Sequence, residues 1–308
     1  MLLSIIIPVY NAGAQIKKCL DSISKIKEEE IEVIVINDGS TDKTESCLEE
    51  YRNKDKRFSF YKKENSGVSD TRNLGLSLCN GKYVTFIDAD DTITEEYNQI
   101  IDIIKTNDCD LYSFDFVLCF NGTEKLLEKV HLRKGINDKE TLIKEFFAGR
   151  SNNVWNHIYK TEIIRREQLL FEKEVKMGED LLFNAKYIQL VEAVYFIDKA
   201  PYIYNADNTG SAMHNKRLSY LDDYIKIYDE LVDVRSRYEG SEIDKGNYLL
   251  QVYEVLRFHG KTMTKEQEKR IRNSRLFAEL MAESFRGQLK LIVKQFLLRF
   301  YLYRIWIP

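Results

Sequence analysis

The sequence predicts an α/β fold in which a mostly parallel sheet is flanked by helices and followed by a helical region. Three observations predict it. Short runs rich in β-branched or aromatic residues alternate with amphipathic stretches from Leu3 to Ile87. The first three of these runs are followed by turn-forming clusters, Asn11-Ala12-Gly13, Asp38-Gly39-Ser40-Thr41 and Asn65-Ser66-Gly67. From about Leu218 to Phe285 the pattern is helical almost without interruption, with breaks near Gly240 and Gly260. Alternating strands and helices bring the turns after parallel strands to one sheet edge, because crossovers are right-handed. The expected division is 1–207 for the α/β domain, 208–286 for a helical region and 287–308 for a basic amphipathic tail helix.

In order, Leu3–Val9 is a continuous apolar strand, and Ile16, Cys19, Leu20 and Ile23 then recur at helical spacing. Ile31–Ile36 is a second strand, followed by a helix to about Asn53 that Ser40 or Thr41 could cap. Phe58–Lys62 is a third strand, Val68–Cys79 a third helix and Tyr83–Ile87 a fourth strand. Beyond Asp91 the pattern loosens. Helices are expected at Thr94–Thr106, Asp138–Ala148, Thr161–Gln168 and Glu179–Leu190. Strands are expected at Asp110–Cys119, Lys125–Leu132, Ala193–Ile197 and Pro201–Asn205.

The 308 residues are 44% hydrophobic, ample for a core, and their net charge of −3 gives no basic field for nucleic acid. Five cysteines without a C-x-x-C spacing, beside four histidines, argue against a zinc cage or a disulfide framework and fit a reducing, cytoplasmic setting. The start, Met1-Leu2-Leu3-Ser4, lacks a basic n-region and its apolar run stops at Pro8, so it reads as a strand rather than a signal peptide. No stretch reaches the about 18 uninterrupted apolar residues of a membrane span.

The fourth strand ends in Asp88-Ala89-Asp90-Asp91, at the strand end where ligands sit in open α/β sheets. On an extended backbone Asp88 and Asp90 would point the same way, a hard-oxygen pair suited to Mg²⁺ or Mn²⁺ and hence to phosphates. A polar strand-to-helix connection with an Asp cap explains the same residues. Asp38, next to Gly39, could accept the N3–H of uracil or could cap a helix. Tyr10 offers a ring able to stack on a base, or a core side chain.

Ile7-Pro8-Val9-Tyr10-Asn11, Asn37-Asp38-Gly39-Ser40-Thr41-Asp42, Asn65-Ser66-Gly67-Val68-Ser69-Asp70-Thr71-Arg72-Asn73-Leu74-Gly75 and Asp88-Ala89-Asp90-Asp91 together resemble the family 2 glycosyltransferases of the GT-A fold, in order and in spacing. The resemblance implies transfer of a sugar from a nucleotide-sugar donor with inversion and without a covalent intermediate, in bacterial surface polysaccharide biosynthesis. It implies that Pro8, Tyr10, Asn11, Asp38, Arg72, Asp88, Ala89 and Asp90 bind the nucleotide-sugar, with Tyr10 and Asp38 at the base and Arg72 near the nucleotide. Asp90, with Asp88 on ribose or metal, would hold Mn²⁺ or Mg²⁺. Thr71, where the family often has Ala, and Ser66, where a second Gly is common, depart mildly from its pattern.

In Met177-Gly178-Glu179-Asp180, two acids suit a helix start on electrostatic grounds alone. The resemblance implies that Asp180 is the catalytic base and Glu179 its support. It likewise implies that Trp155 and Asn156 lie on the acceptor side, although a buried Trp155 is an equal expectation. Asn205, Asp207 and Asn208 stand where many members of the family have a basic residue, so the resemblance implies a basic diphosphate contact from this segment only if His214, which reads equally as a satisfied ring group, or Lys216 supplies it. His131, His157 and His259 read as satisfied ring groups. Lys290, Lys294, Arg299 and Arg304 lie among bulky apolar residues without an acid from Gly287 to Pro308. Such a tail suits an anionic membrane surface, a packed final helix or a dimer contact. The acceptor implied is a glycan or lipid-linked saccharide at the inner face of the membrane. Two other readings are an aspartate-nucleophile phosphatase, from the D-x-D-x-T shape of Asp88 to Thr92, and a sugar-nucleotide-binding module without turnover.

Overall fold

Strand β1 (Leu3–Val9) is flanked by β2 (Ile31–Asp38) on one side and β4 (Tyr83–Phe86) on the other, both parallel to it. Strand β3 (Phe58–Lys63) extends the sheet beyond β2, also in parallel. The order β3-β2-β1-β4 reverses direction at β1, which opens a crevice outside the carboxyl ends of β1 and β4. Buried Ile5, Ile7, Val33 and Val35 explain the choice of strand: β-branched side chains pack well on a pleated surface, and each fully buried one contributes about 1.5–3 kcal/mol.

The computed structural model describes residues 1–13, 15–52, 54–126, 132–147, 152–207, 217–238, 252, 255–256 and 263–282. Its contacts divide into two compact units. The first comprises Met1–Phe146, Arg150–Glu174 and Glu179–Thr209; the second comprises Phe147–Gly149, Val175–Gly178 and Gly210–Pro308.

In the first unit, α1 (Ile16–Ile23) buries Ile16, Cys19, Leu20 and Ile23, the stripe its spacing predicts. Helix α2 (Thr44–Tyr51) starts later than expected, and Asp42 rather than Ser40 or Thr41 accepts the Thr44 N–H, at 2.9 Å. Helix α3 (Val68–Leu78) lies close against β1 because residue 75 is glycine: a Cβ there would come within 2.4 Å of Ile6. Beyond β4 and the two-residue β5 (Thr92–Ile93) come α4 (Tyr97–Thr106), β6 (Leu111–Phe120) and its hairpin partner β7 (Thr123–Leu126). Next are β8 (Gly135–Asp138), α5 (Lys139–Phe147), β9 (His157–Lys160), α6 (Thr161–Arg166), α7 (Glu179–Tyr187) and β10 (Ala193–Asn205).

Parallel pairing gives way to a mixed sheet past β4. Strand β9 runs antiparallel between β4 and β6, and β6 pairs in parallel with β10. The two strands expected at Ala193–Ile197 and Pro201–Asn205 are one strand, with a register shift between Ile197 and Tyr202. The strand expected at Lys125–Leu132 overlaps β7 at Lys125 and Leu126, and residues 127–131 lie outside those described.

In the second unit, α8 (Tyr220–Arg235) is joined to α9 (Lys265–Arg272) by Arg270 to Asp222 at 3.1 Å, and to α10 (Arg275–Ala282) by Tyr228 to Glu279 at 2.7 Å and Arg275 to Asp233 at 2.9 Å. Thr264 and Gln267 form a reciprocal cap at the start of α9, which satisfies two otherwise unpaired N–H groups. No helix among the described residues is long and apolar enough to cross a membrane. His131, Asn208, His214, Lys216, His259, the breaks near Gly240 and Gly260 and the tail from Gly287 lie outside the described residues.

Candidate functional site

The turns after β1 and β2 are bonded to each other. The Asn11 side chain accepts from Thr41 N at 2.9 Å while Asn11 N donates to Ser40 Oγ at 3.0 Å. Asn11 takes φ +49°, a left-handed conformation that Asn tolerates better than most residues. Pro8 lies within β1 opposite Ile36, and Tyr10 just past its end is 52% exposed, free to present a ring face. Gly39, at φ +69°, passes so close to Asn65 that a Cβ would meet its N at 2.8 Å. Gly39, Ser40, Lys62, Lys63, Glu64 and Asn65 line an open groove of about 680 Å³ beside these turns.

Asp38 is buried at the end of β2. Its Oδ1 accepts from Lys63 Nζ and from Ser66 N, and its Oδ2 accepts from Gly67 N at 2.9 Å. It therefore anchors the turn that starts α3. One lone-pair site remains on Oδ2 for a further donor such as a uracil N3–H. Lys63, which sequence reasoning did not single out, is the cation at this carboxylate.

The acidic stretch is a turn rather than extended chain: β4 ends at Phe86 and Asp91 N donates to Asp88 O at 3.1 Å. The alternation that would aim Asp88 and Asp90 alike does not apply. Asp91 is buried with both oxygens in use, Oδ2 accepting from Tyr202 Oη at 2.6 Å and Oδ1 from Asn205 N at 2.7 Å. Burial, then the charges of Asp88 and Asp90, push the Asp91 pKa up to about 8. Ala89 is buried, whereas Asp88 and Asp90 are half-buried.

Arg72 connects this turn to the start of α7. Its Nη2 donates to Asp88 Oδ1 at 3.1 Å, and its Nη1 donates to Glu179 Oε1 at 2.9 Å and Asp180 Oδ1 at 2.5 Å. The guanidinium stands 5.3 Å from the Phe171 ring centroid, and the Asn73 amide bonds both the N–H and the C=O of Phe171 at 2.8 Å. Burial opposes the arginine's charge, yet Asp180, Asp88 and Glu179 hold its pKa above the ordinary value. Asp180 is raised to about 7, by burial first and by Glu179, while Arg72 and the Val154 N–H oppose the rise. A carboxyl with that pKa suits proton abstraction near neutrality. Asp88 is raised to about 6, again by burial first, with Arg72 opposing and Asp180 and Asp90 adding to the rise.

Trp155 and Asn156 are both buried, the alternative expected for Trp155. Trp155 is only 5% exposed, with its ring parallel to Tyr202 at 4.4 Å and to Tyr204 at 5.6 Å and Phe116 edge-on at 4.6 Å. Asn156 is buried beside β6, its Nδ2 on Phe114 O at 3.1 Å. His157 is buried too, its Nδ1 within 2.7 Å of Asn153 O, and burial lowers its pKa to about 4. The sequence pointed to no role at the acidic turn for Tyr202, Asn205 or Phe171; Tyr202 and Asn205 lie on a strand 111 or more residues from the turn they bond.

Hard carboxylate oxygens and crowded acid charge suit a divalent cation. Asp91 is buried with each oxygen turned to a protein donor, so the half-buried Asp88 and Asp90 are the residues that would hold it. Among the described residues no group of three or more His, Cys, Asp or Glu side chains forms a metal cage alone. Two carboxylates completed by phosphate and water is how Mg²⁺ is usually held.

Residues 4–167 match the family model described as glycosyl transferase family 2. Glycosyltransferase GlyA of Streptococcus pneumoniae is 34% identical over 216 residues, 66% of this chain and 30% of GlyA. The uncharacterized glycosyltransferase EpsJ of Bacillus subtilis is 28% identical over 212 residues, 66% of this chain and 60% of EpsJ. The matches thus span less than two thirds of either relative. The crystal structure of S. aureus TarS 1–349 in complex with UDP shares the fold, with a TM-score of 0.66 at 22% identity over 99% of this chain and 88% of that one.

Proposed function

The chain belongs to glycosyl transferase family 2, and on that premise we propose that it moves a sugar from a UDP-sugar to a glycan or lipid-linked saccharide with inversion at the anomeric carbon. The Arg72 bridge carries the proposal, because it brings the carboxylate after β4 and the acidic pair at the start of α7 into one cluster. Direct displacement needs those two functions near each other. Asp180 takes the proton of the acceptor hydroxyl, whose oxygen forms the new bond to the anomeric carbon as the bond to the diphosphate oxygen breaks. The electron pair leaves on the diphosphate. A divalent cation held by Asp88 and Asp90 would neutralise charge on that leaving group. Tyr10 would stack on the base and Asp38 would accept its N3–H, supporting uridine as the nucleoside, in keeping with the UDP seen in TarS 1–349. The Lys- and Arg-bearing tail from Gly287 is proposed as a peripheral membrane contact on sequence alone.

A thermal-shift panel of UDP-, GDP- and CDP-sugars, with and without Mn²⁺, tests the donor. At about 100 times its dissociation constant a bound donor adds about 2.7 kcal/mol of stability. UDP-sugars should raise Tm in the presence of Mn²⁺. A response to GDP- or CDP-sugars alone, or to none, would contradict the proposal.

A further inference from the structure

We infer that Arg72 is a positioning residue for the base Asp180 rather than a ligand of the donor phosphates, an assignment that rests on the transfer reaction proposed above. An arginine in a nucleotide site is ordinarily assigned to phosphate, and its planar fork suits that role. Here the fork is already engaged. Nη1 is shared by Glu179 and Asp180, and Nη2 holds Asp88. The residue is only 3% exposed, and its Nε is buried without a hydrogen-bond partner.

The surroundings fix the guanidinium in that place. Phe171 packs against it, and Asn73, the next residue on α3, holds the Phe171 backbone through both ends of its amide. Withdrawing Arg72 towards a diphosphate would strip three partly buried carboxylates of the cation they share, which is costly even when new contacts form elsewhere. Keeping it in place sets where the Asp180 oxygen stands relative to the Asp88 turn. That separation matters because the acceptor hydroxyl must be deprotonated while it faces a donor held at Asp88. A displacement of about 1 Å at such a site costs roughly 10²-fold in rate.

The test compares Arg72→Lys, Arg72→Gln and Phe171→Leu with the wild type. UDP affinity with Mn²⁺ is measured by calorimetry, and kcat and donor KM are measured by UDP release from the UDP-sugar that the panel selects. Positioning predicts that UDP affinity and donor KM stay near wild type in Arg72→Lys, whose ammonium still balances Asp88, while kcat falls by roughly 10²-fold because lysine cannot fork to hold Asp180 as well. Phe171→Leu leaves every charge in place, so it reports on positioning even if Arg72→Gln fails to fold; it should lower kcat in the same sense. A UDP dissociation constant raised about tenfold or more in Arg72→Lys would make Arg72 a phosphate ligand and overturn the assignment. Unchanged kcat in both Arg72→Lys and Phe171→Leu would overturn it as well. Failure of the wild type to bind UDP would overturn the donor proposal together with this one, and is seen before any variant is compared.

Discussion

Tyr202 Oη donates to Asp91 Oδ2 at 2.6 Å and accepts the backbone N–H of Asp88 at 3.2 Å. One hydroxyl on β10 thus holds both ends of the acidic turn that follows β4. The turn owes its shape to a strand far away in the chain, and the Trp155 ring stacked on Tyr202 keeps that hydroxyl in place.

Tyr202→Phe keeps the ring stack and removes the hydroxyl. It leaves a buried acceptor and a half-buried donor unpaired, at a cost of about 1–3 kcal/mol. Urea unfolding should show that loss, and UDP binding with Mn²⁺ should weaken because the turn that carries Asp88 and Asp90 loses its bonds at the Asp88 N–H and the Asp91 carboxylate. Unchanged values of both would mean that the turn holds itself.

The raised pKa of Asp180, about 7 and due first to burial, has a stability consequence in metal-free protein. A carboxyl that binds its proton more tightly when folded contributes stability that is complete below its ordinary value of 3.8 and is lost as pH rises through its folded pKa. His157, lowered to about 4, works in the opposite sense up to its ordinary 6.5, so the informative quantity is a difference between variants. The unfolding free energy of wild type minus that of Asp180→Asn should fall between about pH 5 and 8 in EDTA. A difference that is flat or rises over that range would contradict the burial of Asp180.

Deleting Gly287 to Pro308 should release the protein from vesicles containing anionic lipid, since Lys290, Lys294, Arg299 and Arg304 supply the attraction. Binding measured by co-sedimentation should also weaken with salt. Persistent binding after the deletion would locate the contact elsewhere.

The parallel block β3-β2-β1-β4 was legible because each strand is a short run of β-branched or aromatic residues followed by turn-forming residues, and local pattern suffices for that. Strand β9 was not, because His157–Lys160 is four residues long and owes its place to pairing with β4 and β6. At the site, Asp38, Arg72, Asp88 and Asp180 were visible as residue types in motifs. Their partners were not: Arg72 reaches Asp180 across 108 positions, and no local spacing encodes that contact. Trp155 shows the opposite failure, since an aromatic ring suits a sugar and a core equally well until Tyr202, Tyr204 and Phe116 are seen around it.

Asp180 is proposed as the base of a sugar transfer from a UDP-bound donor, and the variant that decides this is Asp180→Asn. The substitution keeps size and removes the proton acceptor. UDP affinity with Mn²⁺ should be retained while turnover on the selected UDP-sugar falls by roughly 10²- to 10⁴-fold. Turnover near the wild-type rate in Asp180→Asn would contradict the account.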